Sequence, residues 1–322
     1  MIDETKRVPE GDMQALGESL GPALRETCGG TLGEISWFRA SWQRGGAATG
    51  SAVWTLPDRE VDVVVKLPIG PRERQWCASV GASETWADGD DTVIPRTLAS
   101  GSEVGGYDLA WVVMEKLPGH PLSSSLDKDA LRDMLVACAR FQARCATIRP
   151  VDEAPPRKDW EHLIEVGRDH LPDTDIAEPQ RWNVVLKKVQ KLLPTLQTEW
   201  RAREVNTWCH GDLHGGNAMR RGEHCVLIDL ALVHAGHWIE DAIYLERQFW
   251  GHKDRLQGIK PLSVLARARR DLGLDNGEDY ARAATIRRVL MAACVPALFG
   301  REGHHAYANA ALELIEANLG QL

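Results

Sequence analysis

Apolar residues at Met13, Leu16, Leu20 and Leu24 recur at spacings of three and four. That period predicts a helix over 13–28, which Gly29-Gly30 stop. The pattern then shortens. Apolar runs at 35–40, 51–56, 61–67 and 111–115 are separated by turn residues, and Pro57-Asp58 joins the second to the third as a hairpin. These runs predict an antiparallel sheet. After residue 118 the helical period returns. Ser124 or Ser125 can cap a helix reaching about Arg144, with Leu131, Leu135, Cys138 and Phe141 on one face. A Pro-rich link from Pro150 to Pro156 leads to helices over 158–171 and 180–203. Later helices are expected at 239–250, 259–272, 277–299 and 302–319. Two short strands, 218–220 and 224–228, bracket a tight turn at 221–223.

The chain of 322 residues is long enough for two units with separate cores. The boundary between sheet and helical patterns divides it into 1–117 and 118–322. No apolar run approaches the ~18–20 residues of a membrane helix, and the first residues have no apolar signal core. Seven scattered cysteines without a Cys-x-x-Cys pair fit reduced thiols and a cytoplasmic setting. Cys138 and Cys145 read as small core residues. The net charge is −8, with no basic stripe to attract nucleic acid. Residues 230–322 hold as many basic as acidic side chains. That balance argues mildly against a polycationic ligand there.

The densest chemistry lies in Cys209-His210-Gly211-Asp212-Leu213-His214-Gly215-Gly216-Asn217, followed by Val226-Leu227-Ile228-Asp229. Phosphoryl transfer from a nucleotide needs such parts. One carboxylate, Asp212, positions a hydroxyl and accepts its proton. An amide oxygen, Asn217, and a second carboxylate, Asp229, hold Mg²⁺ on the phosphates. The same stretch also admits a metallohydrolase reading, with His210, Asp212 and His214 as ligands and His234 and His237 nearby. That reading leaves Lys66 and Asn217 without a role. Small residues in Gln43–Gly50 either let backbone N–H groups approach phosphates or form a plain hairpin loop.

In its His-Gly-Asp-x-x-x-x-Asn motif and the following Ile-Asp-Leu, the chain resembles the aminoglycoside phosphotransferase and choline kinase family, small-molecule relatives of the protein kinases. Gly215-Gly216 stands where that family more often has Pro-Gly. The resemblance implies an α+β, protein-kinase-like two-lobe fold, with a small antiparallel-sheet N-lobe and a larger, mainly helical C-lobe. It implies ATP and Mg²⁺ as cofactors and a small molecule bearing a hydroxyl as acceptor. Lys66, ending Val63-Val64-Val65, would pair with the phosphates. Its partner would be Glu73, preferred over Glu84 because Gly81 is expected to end the intervening helix. Trp111–Gly119 would be the hinge, with the Glu115 carbonyl and Leu117 N–H on the adenine edge and Met114 behind the ring. His210 and Asp241 would support the loop around Asp212. His214 sits near the transferred group or packs the loop. Trp238, Glu240 and Glu246 either face a cationic acceptor or are ordinary helix residues. A nucleotide-binding protein without transferase activity is the remaining alternative. The whole reading requires Lys66, Asp212, Asn217 and Asp229 to meet around one triphosphate.

Overall fold

The computed structural model describes residues 12–38, 46–86, 91–278, 280–302 and 304–322. The chain divides into two compact units. The first comprises Met1–Leu122 and Gly216–Val233, and the second Ser123–Gly215 and His234–Leu322. A single cut at 117/118 therefore differs from these units in two pieces: Pro118–Leu122 and the stretch from Gly216 to Val233 both belong with the sheet.

In the first unit, helix α1 (Asp12–Thr27) precedes strands β1 (Ser36–Phe38), β2 (Ala48–Thr55), β3 (Glu60–Leu67), β4 (Thr97–Gly101) and β5 (Trp111–Glu115). They form one antiparallel sheet in the order β1-β2-β3-β5-β4. Alternation sends Val63, Val65 and Leu67 into a core shared with Leu20 and Leu24 of α1, Ala52, Trp111 and Val113. The β4 strand carries no apolar alternation, so the sequence pattern does not announce it. Arg39, Ala40 and the residues from Gln43 to Gly45 of the expected phosphate loop lie outside the described residues.

Helix α2 (Pro71–Trp76) follows β3. It passes into a π-helical turn at Cys77–Gly81, and the helical run ends at Ser83. Gly81 is thus inside the run, which still stops short of Glu84. The hairpin of β7 (Ala218–Arg221) and β8 (His224–Leu227) belongs to this unit. Leu227 N–H donates to the Val93 carbonyl at 3.0 Å, and Arg72 donates to the Val233 carbonyl at 3.1 Å.

The second unit is helical apart from a short antiparallel pair, β6 (Thr207–Cys209) and β9 (His234–Gly236). Its helices are α3 (Lys128–Ile148), α4 (Trp160–His170), α5 (Pro179–Ala202), α6 (Ile239–Arg247), α7 (Pro261–Asp271), α8 (Tyr280–Ala293), α9 (Val295–Glu302) and α10 (His305–Leu319). The expected α3 face is buried: Leu131, Leu135, Cys138 and Phe141 are fully covered. The cap differs from expectation. Asp127, not a serine, accepts the Ala130 N–H at 2.8 Å, while Leu122–Ser125 form a 3₁₀ turn. The expected helix 277–299 is two helices, α8 and α9. Pro296, which lacks a donor N–H, sits in the first turn of the second. Among the described residues no helix is long and apolar enough to cross a membrane.

Candidate active site

In the first unit, Lys66 lies on the face of β3 opposite Val65 and Leu67. Its ammonium meets Glu73 Oε1 at 2.8 Å. Glu73 comes from the first turn of α2, which Pro71 starts, and its carboxylate is buried. Burial pushes the Lys66 pKa down, but the charges of Glu73 and Asp229 outweigh it and hold the pKa above its ordinary value. The lysine is therefore a fixed cation.

Met114 is half-buried on β5, opposite Val64 of β3. The Glu115 carboxylate is consumed internally. Arg96 Nη1 reaches its two oxygens at 3.0 and 2.9 Å, and Arg221 of the β7–β8 hairpin reaches one at 2.6 Å. The Glu115 N–H is engaged as well, donating to the Arg96 carbonyl at 2.9 Å. The Leu117 N–H has no protein acceptor among the described residues.

Asn217 and Asp229 leave the same end of that hairpin. Ala218 pairs with Leu227, and Ile228 N–H donates to the Asn217 carbonyl at 2.9 Å. Asp229 has φ +65°, a left-handed conformation that costs a side chain about 1 kcal/mol or more and that Asp tolerates better than most. The strain breaks the strand direction directly after β8. An amide oxygen and a carboxylate are the hard oxygen donors that Mg²⁺ prefers, with no thiol or imidazole in the pair, so these residues fit that ion.

In the second unit one buried carboxylate holds the loop before Asp212. Asp241, near the start of α6, accepts the His210 N–H at 3.0 Å and the Gly211 N–H at 2.9 Å. Gly211 has φ +83°, where a β-carbon would be strained. Gln142 Nε2 and Cys138 Sγ also donate to Asp241, at 3.1 and 3.4 Å. Arg269 fixes the Gln142 amide in turn, at 2.6 Å. His210 is fully buried, edge-on to Phe141, and its Nδ1 accepts the Asp212 N–H at 3.3 Å.

Asp212 is held on both oxygens. Tyr244 O–H donates to Oδ1 at 2.5 Å, and His214 Nε2 lies 3.4 Å from Oδ2. Partial burial pushes the carboxyl pKa up. The hydrogen bonds from His214 and Tyr244 and the nearby imidazoles outweigh that and bring it to about 2. No motif marks Tyr244 or Gln248, whose Nε2 donates to the Leu213 carbonyl at 3.2 Å. Their signal is helical phase: both follow Asp241 on one face of α6, at i+3 and i+7.

Of the two readings open for Trp238, Glu240 and Glu246, the internal contacts favour ordinary helix and core roles. Trp238 is 1 % exposed, donates its indole N–H to the Asn276 carbonyl at 3.0 Å and lies under the Arg269 guanidinium. Glu240 is buried between Arg203 at 3.0 Å and Arg287 at 3.4 Å, which hold its carboxyl far below the usual range against the cost of burial. Glu246 is bound bidentately by Arg288 at 2.8 and 2.7 Å. All three are spent on internal partners.

The metallohydrolase set does not gather: His210, Asp212 and His214 are not among the ligand groups that converge within the described residues. The group that does converge is Cys209, His234 and Glu240. There burial pushes the Cys209 thiol well above its ordinary pKa, and two guanidinium groups already occupy Glu240. A protonated thiol and a paired carboxylate are poor metal ligands.

A sheet unit with a lysine–glutamate pair, and a helical unit with a braced His-Gly-Asp loop, are the parts of a kinase-like phosphotransferase. The model of the phosphotransferase enzyme family matches residues 39–286, and the chain belongs to that family. Solved structures share its fold. A spectinomycin phosphotransferase, in complex with ADP and spectinomycin, superposes with a TM-score of 0.55 at 11% identity, over 95% of this chain and 98% of that one. A choline/ethanolamine kinase family protein from Mesorhizobium loti gives 0.54 at 15% identity, over 96% and 95%. An aminoglycoside phosphotransferase from Alicyclobacillus acidocaldarius gives 0.52 at 15%, over 90% and 91%. No curated relative matches the sequence.

Proposed function

We propose that the protein transfers the γ-phosphoryl group of ATP to a hydroxyl of a small molecule. The observation that carries this reading is the Lys66–Glu73 pair at 2.8 Å, with Asp229 acting on the same ammonium. A lysine anchored on a buried glutamate presents a fixed positive charge to phosphate oxygens. Mg²⁺, held by Asn217 and Asp229, would supply further neutralisation of the phosphates when bound. Asp212 accepts a hydrogen bond from the acceptor hydroxyl and aims its oxygen. A carboxylate with a pKa near 2 is a weak base, so it takes the proton only as the new O–P bond forms. That step contributes roughly 10²–10⁴-fold. The acceptor falls within the range that the names of the similar structures span, from spectinomycin to choline and ethanolamine. Seven free cysteines, six of them buried, support a reducing, cytoplasmic setting.

The test is an ATP-consumption screen over aminoglycosides, choline, ethanolamine, sugars and hydroxy-amino acids, with Asp212→Asn as the blank. One acceptor class is expected to drive ADP release in the wild type. The variant is expected to lose turnover and keep nucleotide affinity. Nucleotide binding without transfer to any acceptor would favour a binding protein instead, and full turnover by the variant would remove Asp212 from its role.

A further inference from the structure

Two side chains of α6, and Gln248 at its C-cap, reach the loop that carries Asp212. Asp241 accepts the His210 and Gly211 N–H groups at 3.0 and 2.9 Å. Tyr244 O–H donates to Asp212 Oδ1 at 2.5 Å, and Gln248 Nε2 donates to the Leu213 carbonyl at 3.2 Å. Anchors on either side of Asp212 therefore fix the phenol and the carboxylate relative to each other. Neither group is sealed in a core. Tyr244 is half-buried, and the Asp212 side chain keeps 24% of its surface exposed.

A hydroxyl hydrogen-bonded to Asp212 is what the proposed reaction asks of its acceptor, and Tyr244 supplies one from within the chain. A phenol ionises at about pH 10, well below an aliphatic alcohol. It therefore surrenders its proton more readily to a carboxylate as weakly basic as Asp212. A hydroxyl already held against its base also needs no encounter step, which lowers the barrier further. The carboxylate has two oxygens. A soluble acceptor can use Oδ2, beside His214, while Tyr244 holds Oδ1. Without that acceptor, the tyrosine is a hydroxyl already in place.

We propose, resting on the phosphotransferase reading above, that Tyr244 is a site of self-phosphorylation. It is filled when Mg·ATP is bound and no small-molecule acceptor is present, and the modified chain is switched off. Tyr244 Oη attacks the γ-phosphorus of ATP. The Oη–P bond forms, the bond from the γ-phosphorus to the β,γ-bridging oxygen breaks, and its electron pair leaves on ADP. The phenolic proton passes to Asp212 and from there to water. The product has no O–H left to donate to Asp212, and it sets a charge of about −1.5 to −2 beside an ionised carboxylate. Both changes undo the arrangement that serves a soluble acceptor.

The test uses the full chain, cleared of phosphate by a phosphatase that is then removed, and incubated with Mg·ATP alone. Intact mass and peptide mapping are expected to show a single phosphoryl group per chain, on Tyr244. The label should survive acid, as a phosphotyrosine does and an acyl phosphate on Asp212 does not. The initial rate per chain should not change with protein concentration, because the transfer is intramolecular. Asp212→Asn should slow labelling roughly 10²-fold or more, and Tyr244→Phe should abolish it. The labelled chain should lose transfer to whichever acceptor the ATP-consumption screen identifies, and phosphatase should restore it. An acid-labile label, phosphate only on other residues, a rate that rises with protein concentration, undiminished labelling of Asp212→Asn, or full acceptor turnover by the labelled chain would each overturn the proposal. So would an unlabelled Tyr244 in a preparation that phosphorylates a soluble acceptor, an outcome that leaves the phosphotransferase reading standing. A chain that binds nucleotide yet labels neither itself nor any acceptor would remove that reading, and self-phosphorylation with it.

Discussion

Tyr244 donates its phenolic hydrogen to Oδ1 of Asp212 at 2.5 Å, leaving His214 to approach Oδ2. A hydrogen bond to a charged group contributes roughly 1.5–3 kcal/mol, and this one also fixes the carboxylate plane. Tyr244→Phe is therefore expected to lower kcat about tenfold, from the low end of that range. The KM for ATP should hold, because the residues assigned to the nucleotide lie in the other unit. Steady-state kinetics from pH 5 to 9, read as ~10-fold steps, check this. An unchanged kcat with a raised ATP KM would assign Tyr244 elsewhere.

The partner of Lys66 is buried, which makes the pair asymmetric. Removing the ammonium strands the Glu73 carboxylate, whereas removing the carboxylate leaves a lysine that still has Asp229 beside it. Lys66→Ala is expected to cost on the order of 3 kcal/mol of stability and most of the nucleotide affinity. Glu73→Gln should cost less stability while loosening the lysine and raising the ATP KM. Urea denaturation paired with nucleotide titration separates the two, and equal stability losses would refute the asymmetry.

The Lys66–Glu73 pairing was readable once the family resemblance called for a lysine–glutamate pair, and the proline-started helix then favoured Glu73 over Glu84. The Asp241 contact with the loop was readable only through family resemblance. Tyr244 was not readable from motifs, since a tyrosine within a helix signals nothing until the phase of Asp241 is known. Trp238 and Glu240 stayed open between two readings for the opposite reason. A tryptophan beside an acid reads the same whether it faces a ligand or a core, and Arg203, Arg269 and Arg287, which settle the matter, are distant in sequence. The hairpin from Gly216 to Val233 was misassigned because helices on both sides of it hid its pairing with the sheet unit.

Asp241 accepts two consecutive backbone N–H groups, and an asparagine offers one oxygen where the carboxylate offers two. Asp241→Asn would turn an amide N–H toward His210 or Gly211. The expected outcome is loss of roughly 2–4 kcal/mol of stability, as for a charged hydrogen-bond network broken inside a core. Turnover should fall further than ATP affinity, because the displaced loop carries Asp212. Amide hydrogen exchange at His210 and Gly211 provides the local readout. Unchanged protection there would show that the carboxylate does not hold the loop.

His237 is expected to contribute to the pH response on the acid side of neutrality. It is buried, its Nδ1 accepts the Ile239 N–H at 3.3 Å, and its pKa is lowered to about 4 by burial, against the pull of Glu240. In the unfolded chain the same imidazole takes a proton near 6.5. Because the folded value is the lower one, its contribution is complete above pH 6.5 and is lost as pH falls toward 4. The unfolding free energy should therefore drop by at most about 1.4 kcal/mol per pH unit from this group. Asparagine at 237 retains an acceptor for Ile239 but does not titrate. Urea unfolding at several pH values between 6.5 and 5 should give a shallower decline for His237→Asn than for the wild type. Above pH 7 the two slopes should be equal. Parallel curves throughout would place the acid sensitivity on other groups.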